Sequence, residues 1–321
     1  MKQPSYKSLN QLMRHMRSTS GMTVAGATHK RALRRIGYFH GYKGYRFTGS
    51  ADRLIPYSSL DELRAVFDFD SGLKAMLYPV LMDLEMAMKN LALVEMLREA
   101  DSSLLTDVFE RLMPGDKRDK RRGKLEVVHA SNGVLLASYK HDNVIIRHYY
   151  DAPAESVPLW ALMEVITLGH FGRFLEQLSS PVLKSVAASW GLQRRDADLL
   201  PHLVFALKDL RNCVAHNGTA FDTRFKTAKI REQVPALLVR EVNLPQSARV
   251  QFDTITDYFI LIVYLARCLG VPKREVVTLI KRYSAHSEDL RNRVPRRIFD
   301  MIVHSDNRTK LEHLSVWLRS T

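Results

Sequence analysis

The 321-residue chain is 46% hydrophobic and 26% charged, a balance that excludes a disordered or fibrous polymer and leaves room for one large domain or two small ones. Its 48 Lys and Arg against 34 Asp and Glu give a formal net charge of +14, which favours a polyanionic partner through Coulomb attraction and counterion release. With Cys213 and Cys268 as the only two cysteines, a disulfide framework and a four-thiolate zinc site are both excluded, and a reducing compartment fits. Charge alone does not name the partner: nucleic acid, a membrane surface and a merely solvated basic exterior share the same total.

Met1 to Arg17 is polar and basic with no continuous apolar run, so it does not read as a secretory signal. Residues 1–60 form an N-terminal aromatic and basic region, centred on the run from Ile36 to Phe47, whose glycines imply turns. Within it Lys43, Tyr45 and Arg46 interleave cations with aromatics, a pattern suited to base stacking with phosphate contact and equally to ordinary packing of the tyrosines.

Residues 61–232 read as a helical core. Leu73, Leu77, Leu81, Leu84, Met88, Leu91 and Val94 recur at helical spacing, with Asp70 or Ser71 placed to cap the helix and Pro79 predicting a kink or a later start. The charge run Asp116 to Lys124 predicts an exposed loop, and Asn132-Gly133 predicts a turn inside Leu125 to Ile146, giving helix-turn-helix there. Further helical stripes occupy Leu159 to Leu178, Val182 to Trp190 and Leu199 to Val214. After Arg224, Pro235 and Pro245 mark a linker into a C-terminal helical region, 233–321, with stripes at Phe252 to Leu269 and Arg274 to Tyr283. The longest apolar stretch, Tyr258 to Leu269, contains Arg267 and is too short to span a bilayer, so a soluble, cytoplasmic protein is expected. Strand signals are sparse, and the fold class is all-α.

The most informative segment ends the stripe Leu203, Leu207, Leu210, Val214, which leaves Arg211, Asn212 and His216 off the core face. Asn217-Gly218 predicts the helix stop, which places His216 near the negative end of the helix dipole. RNA cleaves when its 2′-hydroxyl loses a proton and attacks the adjacent phosphorus. Such a reaction needs a proton carrier, which histidine supplies, and a cation for the phosphate, which an arginine fork supplies. Five positions along an ideal helix turn through about 140°, so Arg211 and His216 do not share one narrow face, whereas Asn212 and His216 do. Asn212 is therefore expected to orient the imidazole, with the long arginine stem or a second subunit completing the site. A helix-end arginine and a functionless exposed histidine are the bland alternative. Cys213 reads as packing rather than as a nucleophile.

The run Leu210-Arg211-Asn212-Cys213-Val214-Ala215-His216-Asn217-Gly218 resembles the R-x(4-6)-H signature of the HEPN superfamily, in the form of Abi-like abortive-infection proteins such as the AbiD and AbiF groups. Other blocks similar to that family follow its order over about residues 30–225. They are Ile36-Gly37-Tyr38 with Gly44-Tyr45-Arg46-Phe47, then Phe67-Asp68-Phe69-Asp70 leading to Leu84-Glu85-Met86-Ala87, His148-Tyr149-Tyr150, Pro158 to Glu164, and Leu168-Gly169-His170-Phe171-Gly172. The resemblance implies a HEPN-type helical bundle with helical extensions at both ends, a homodimer joining two motifs, and metal-independent RNA cleavage without a cofactor. It also implies a place in phage defence or toxin-antitoxin control, restrained by a structured RNA or an antitoxin partner. On that reading Arg211 and His216 are catalytic and Asn212 positions them. Lys43, Tyr45, Arg46, Asn217 and Arg224 are the candidate RNA contacts. Thr219, Ala220, Phe221 and Asp222 depart from the family, in which another arginine and an aromatic-asparagine pair commonly follow the histidine.

Glu85 and Glu164 lie in apolar helical stretches, where a carboxylate needs a partner, and each is a candidate to hold an arginine near the site or, equally, a plain helix-surface acid. Three functions compete: an RNA endonuclease, a non-catalytic RNA-binding scaffold with the same core, and a helical DNA-binding regulator, for which no recognition-helix signature is present. Neither H-x-x-x-H spacing nor a P-loop occurs, so metal catalysis and nucleotide hydrolysis have no visible machinery.

Overall fold

The computed structural model describes residues 7–50, 52–115, 118–151, 157–227, 230–245, 248 and 250–320. Fifteen α-helices and no β-strand occur among them, so the chain is all-α. In chain order the helices are α1 (Leu9–Ser20), α2 (Gly26–Ile36), α3 (Leu60–Ala100), α4 (Leu105–Leu112) and α5 (Arg118–Lys140). They continue with α6 (Val144–Tyr150), α7 (Leu159–Val165), α8 (Leu168–Gln177), α9 (Ser180–Ser189) and α10 (Leu200–Ala215). The last five are α11 (Gln233–Val242), α12 (Ile255–Cys268), α13 (Lys273–Arg293), α14 (Arg296–Ile302) and α15 (Asn307–Ser320).

The 41-residue α3 is the spine. It starts earlier than the pattern predicts, because the Ser59 hydroxyl accepts from the Glu62 N–H at 3.3 Å and caps the first turn. Asp70 is therefore a buried mid-helix residue and not a cap. Pro79 neither ends nor delays the helix: it and Ala75, whose carbonyl loses its donor, both face solvent, where water can satisfy that oxygen. Leu73, Leu77, Leu81, Leu84 and Met88 are buried as the stripe requires, while Val94 is exposed.

Helix α10 packs against α3, α8 and α12, and α12 is buried on every side from Ile255 to Ala266. Its nearly unbroken apolar composition suits that central position. Helix α13 lies along α3, and α15 lies on α13, so the C-terminal helices share the core that supports α10. Lys310 of α15 inserts its ammonium 2.8 Å from Asp257 Oδ1 of α12, a paired buried charge that fixes this docking.

Two expectations fail between α4 and α7. Arg118 to Lys124 is not a loop but the opening of α5, which runs straight through Asn132-Gly133; Asp116 and Lys117 lie outside the described residues. The buried face Val127, Ser131 and Leu135 keeps helical spacing against α7 and α8, and this overrides the turn preference of Asn-Gly. The reversal comes instead at Asp142, in the left-handed region with φ 56°, and Asn143 caps α6 through Ile146 N–H at 3.1 Å. The stripe from Leu159 to Leu178 divides at Ile166-Thr167, where the Thr167 hydroxyl accepts from His170 N–H and starts α8. Pro235 lies inside α11 rather than in a linker. No helix among the described residues is long and apolar enough to cross a membrane.

Candidate active site

Helix α10 ends as its sequence requires. His216 is the terminal cap, Asn217 takes the left-handed conformation at φ 54°, and Gly218 N–H donates to Cys213 carbonyl at 2.7 Å, with Asn217 N–H reaching Val214 carbonyl at 3.2 Å. A side chain at position 218 would bring a Cβ to 2.8 Å from Cys213 Sγ, so the closing glycine is a steric requirement. The result is an exposed imidazole at the tip, with no hydrogen-bond partner among the described residues, beside the exposed Asn212.

Arg211, five positions back and on another side of the helix, is half-buried and held from α3. Its Nε donates to Glu85 Oε2 at 2.7 Å, while Glu85 Oε1 pairs with Lys89 Nζ at 3.0 Å, and that ammonium also donates to the Ile166 carbonyl at 2.6 Å. A carboxylate flanked by two cations offsets the cost of burying all three groups. Arg211 Nη1 lies 3.4 Å from Asn212 Oδ1, and Nη2 has no partner among the described residues. Asn212 therefore steadies the guanidinium. The expected bond from its amide to His216 is not made.

The turn beyond the motif is anchored to α3 by Asp70, whose side chain is fully buried. Its Oδ1 accepts from Phe221 N–H at 2.7 Å, and its Oδ2 accepts from Tyr45 hydroxyl at 2.6 Å and pairs with Lys74 Nζ at 3.0 Å. Lys74 in turn donates to Asn217 Oδ1 at 2.7 Å and to the Gly218 carbonyl at 3.2 Å. Burial, together with the Asp70 charge, pushes the Cys213 thiol up to about 12, in keeping with a packing residue.

A family model described as Abi-like protein matches residues 31–222, more than half of the chain. The chain belongs to the Abi-like family. No curated protein matches it, and no solved structure does. The match runs from α2 to the turn after the motif, and so takes in both Glu85 and Arg211 as well as Asp70 and Phe221 of this Abi-like chain.

The other residues singled out in the sequence divide by accessibility. Lys43 is exposed and sits 5.1 Å from the ring centroid of Phe39, itself 73% exposed, so a cation and an aromatic face meet at the surface. Arg46 lies over Tyr42 and Phe47. Tyr45 offers no face to a base, since its ring is fully buried between Phe67 and Phe221. Asn217 and Arg224 are engaged internally, Asn217 with Lys74, and Arg224 with Asp222 through its Nε and with the Phe47 carbonyl at 3.2 Å. Glu164 is exposed on α7 and holds no arginine among the described residues, whereas Glu85 does.

Sequence reasoning missed Lys74 and Lys89, and it misplaced Asp70. Lys74 and Lys89 each follow a buried acid by four positions, the spacing at which helical side chains meet, and that signal was present. The departing segment Thr219 to Asp222 also gains a purpose. Phe221 packs on Tyr45, and Asp222 accepts from Gly49 N–H at 2.9 Å, so the stretch fastens the N-terminal region to the end of α10.

Proposed function

We propose that this Abi-like chain is a metal-independent RNA endonuclease of phage defence, of the HEPN type, with His216 as proton carrier and Arg211 as the phosphate-binding cation. The observation that carries the reading is the exposed His216 imidazole at the tip of the helix whose Arg211 is oriented from α3 by Glu85. Glu85 takes the Nε edge, leaving Nη2 to meet a phosphate oxygen.

In the reaction the ribose 2′-oxygen gives up its proton and bonds to the neighbouring phosphorus. The bond to the 5′-oxygen breaks, and that oxygen takes a proton, leaving a 2′,3′-cyclic phosphate and a 5′-hydroxyl. His216 exchanges the proton, and Arg211 stabilises the charge gathered on the phosphate. One imidazole serves one proton at a time, so a homodimer supplying a second His216 gives the site both a base and an acid.

The dimer reading draws support from α3. Tyr78 and Met86, 48% and 58% exposed, stand two turns apart on one side of this helix with the partly buried Met82 between them, and Met86 adjoins Glu85. A second copy packed there would cover the apolar stripe and bring two motifs together. The test is cleavage of single-stranded RNA by the protein and by His216→Ala in the presence of a chelator, with sedimentation for the dimer.

RNA binding without cleavage is the second reading. It is favoured by the internal engagement of Asn217 and Arg224 and by the roughly 140° that separates Arg211 from His216 around the helix. It predicts RNA affinity that survives His216→Ala and no cutting by the parent protein.

A further inference from the structure

A cavity of about 530 Å³ opens between α8, α10 and the residues Thr227, Ile230 and Arg231, within the size range of small-molecule sites. A smaller one of about 110 Å³ continues it toward α5, sharing His170, Arg173 and Glu176. Neither contains Arg211 or His216. His202, Phe205, Asp209, Asn212 and His216 are nevertheless spaced three, four, three and four apart, so they line one flank of α10. Phe205 and His216 are about 16 Å apart along that flank at 1.5 Å per residue.

The polar groups of the cavity are unevenly satisfied. Asp209 accepts from Thr227 N–H at 2.9 Å and Thr227 hydroxyl at 2.7 Å, and it pairs with Lys208 at 3.0 Å, so both charges are consumed. Arg173 and Arg231 have no hydrogen bond or ion pair within 4.0 Å among the described residues. The other acid among the described residues of the larger cavity is Glu176, whose pKa burial raises against the opposing charges of Arg231, Arg173 and Lys120. Two guanidinium groups with no hydrogen bond of their own are matched to phosphate oxygens.

The wall between them is suited to a base. Phe205 lies against Gly172, where a Cβ would come to 2.5 Å from its ring, so the glycine lets the ring pack closely on α8. His202 stands 6.4 Å from Phe205, and burial followed by the Arg231 charge lowers its pKa. An uncharged imidazole has one donor and one acceptor, which fits the edge of a base better than a phosphate.

We propose that this cavity is a subsite for a nucleotide of single-stranded RNA remote from the scissile linkage, with its phosphate between Arg173 and Arg231 and its base against Phe205 and His202. The assignment rests on the RNA-cleaving reading of α10 for what happens at the other end of the strand. Lys120, which reaches the Glu176 carbonyl at 3.1 Å, places the basic start of α5 beside the same path.

The test is fluorescence anisotropy with a labelled 2′-O-methyl oligoribonucleotide, which binds but has no free 2′-hydroxyl to attack. Arg173→Gln/Arg231→Gln is compared with Arg195→Gln/Arg296→Gln, which removes the same charge from exposed positions outside the cavity. The cavity pair should weaken binding about tenfold or more and reduce the slope of log affinity against log salt by about 0.7, with the melting temperature unchanged. The control pair should change affinity by less than about twofold. Equal losses in both pairs, no loss in the cavity pair, or a cavity-dependent preference for duplex DNA would each overturn the subsite. The cavity signature in a protein that never cuts unmodified RNA would uphold the subsite and overturn the nuclease reading instead.

Discussion

The Nε of Arg211 lies 2.7 Å from Oε2 of Glu85, joining α10 to α3 across 126 positions of sequence. Glu85 has a second cation, Lys89, on its other oxygen. Replacing it by alanine leaves an ammonium and a guanidinium facing each other with no counter-charge. Glu85→Ala should cost about 2 kcal/mol or more in urea unfolding and should abolish RNA cleavage. Lys89→Met, which keeps the Arg211 pair, should retain most of the cleavage; equal activity losses in both variants would show that Glu85 acts through stability alone.

Asp70 serves three donors at once, from Tyr45, Phe221 and Lys74. Asp70→Ala should cost about 3–5 kcal/mol, whereas Tyr45→Phe, which removes one hydroxyl from the set, should cost about 1 kcal/mol. Chemical denaturation of the two variants separates a shared anchor from a set of independent bonds.

Asn217 holds φ at 54° and receives a bond from Lys74 at 2.7 Å. Alanine loses the bond and keeps about 1–2 kcal/mol of left-handed strain, while glycine loses the bond and has no strain. Asn217→Gly should therefore be more stable than Asn217→Ala, and thermal melting of the pair checks the order.

Much of this was legible in the sequence because it is local. The stripe Leu203, Leu207, Leu210, Val214 set the buried face of α10, and Asn217-Gly218 set its end, so the exposure of His216 followed. Two local signals misled. Asn132-Gly133 favours a turn, yet the contacts of Val127 and Leu135 with neighbouring helices decided for a continuous α5. Pro79 favours a break, yet its solvent-facing position made the lost hydrogen bond tolerable. What could not be read was which acid meets which cation across the fold. Glu85 and Glu164 looked alike as acids in apolar helices, and only the packing of α3 on α10 brings the first to Arg211 while α7 turns the second to solvent.

Burial, then the charge of Arg231, lowers the pKa of His202 from its ordinary 6.5. The folded protein then binds fewer protons at this position than the unfolded chain, so stability is constant above about pH 7 and falls as pH drops through the unfolded value of about 6.5. The fall levels off below the folded value. Urea unfolding between about pH 7.5 and pH 5.5 should show this decline, and His202→Gln should flatten it. A decline of the same size in the variant would assign it to another group.

The most direct measurement is the rate at which the purified protein and His216→Ala cut single-stranded RNA in excess chelator, with the product ends identified by mass. The parent should produce 2′,3′-cyclic phosphate ends with chelator present, and His216→Ala should be slower by about 100-fold or more at unchanged melting temperature and RNA affinity. Cutting by the variant at the parental rate, or cutting by the parent that stops when metal is withdrawn, would contradict the assignment of His216 and Arg211.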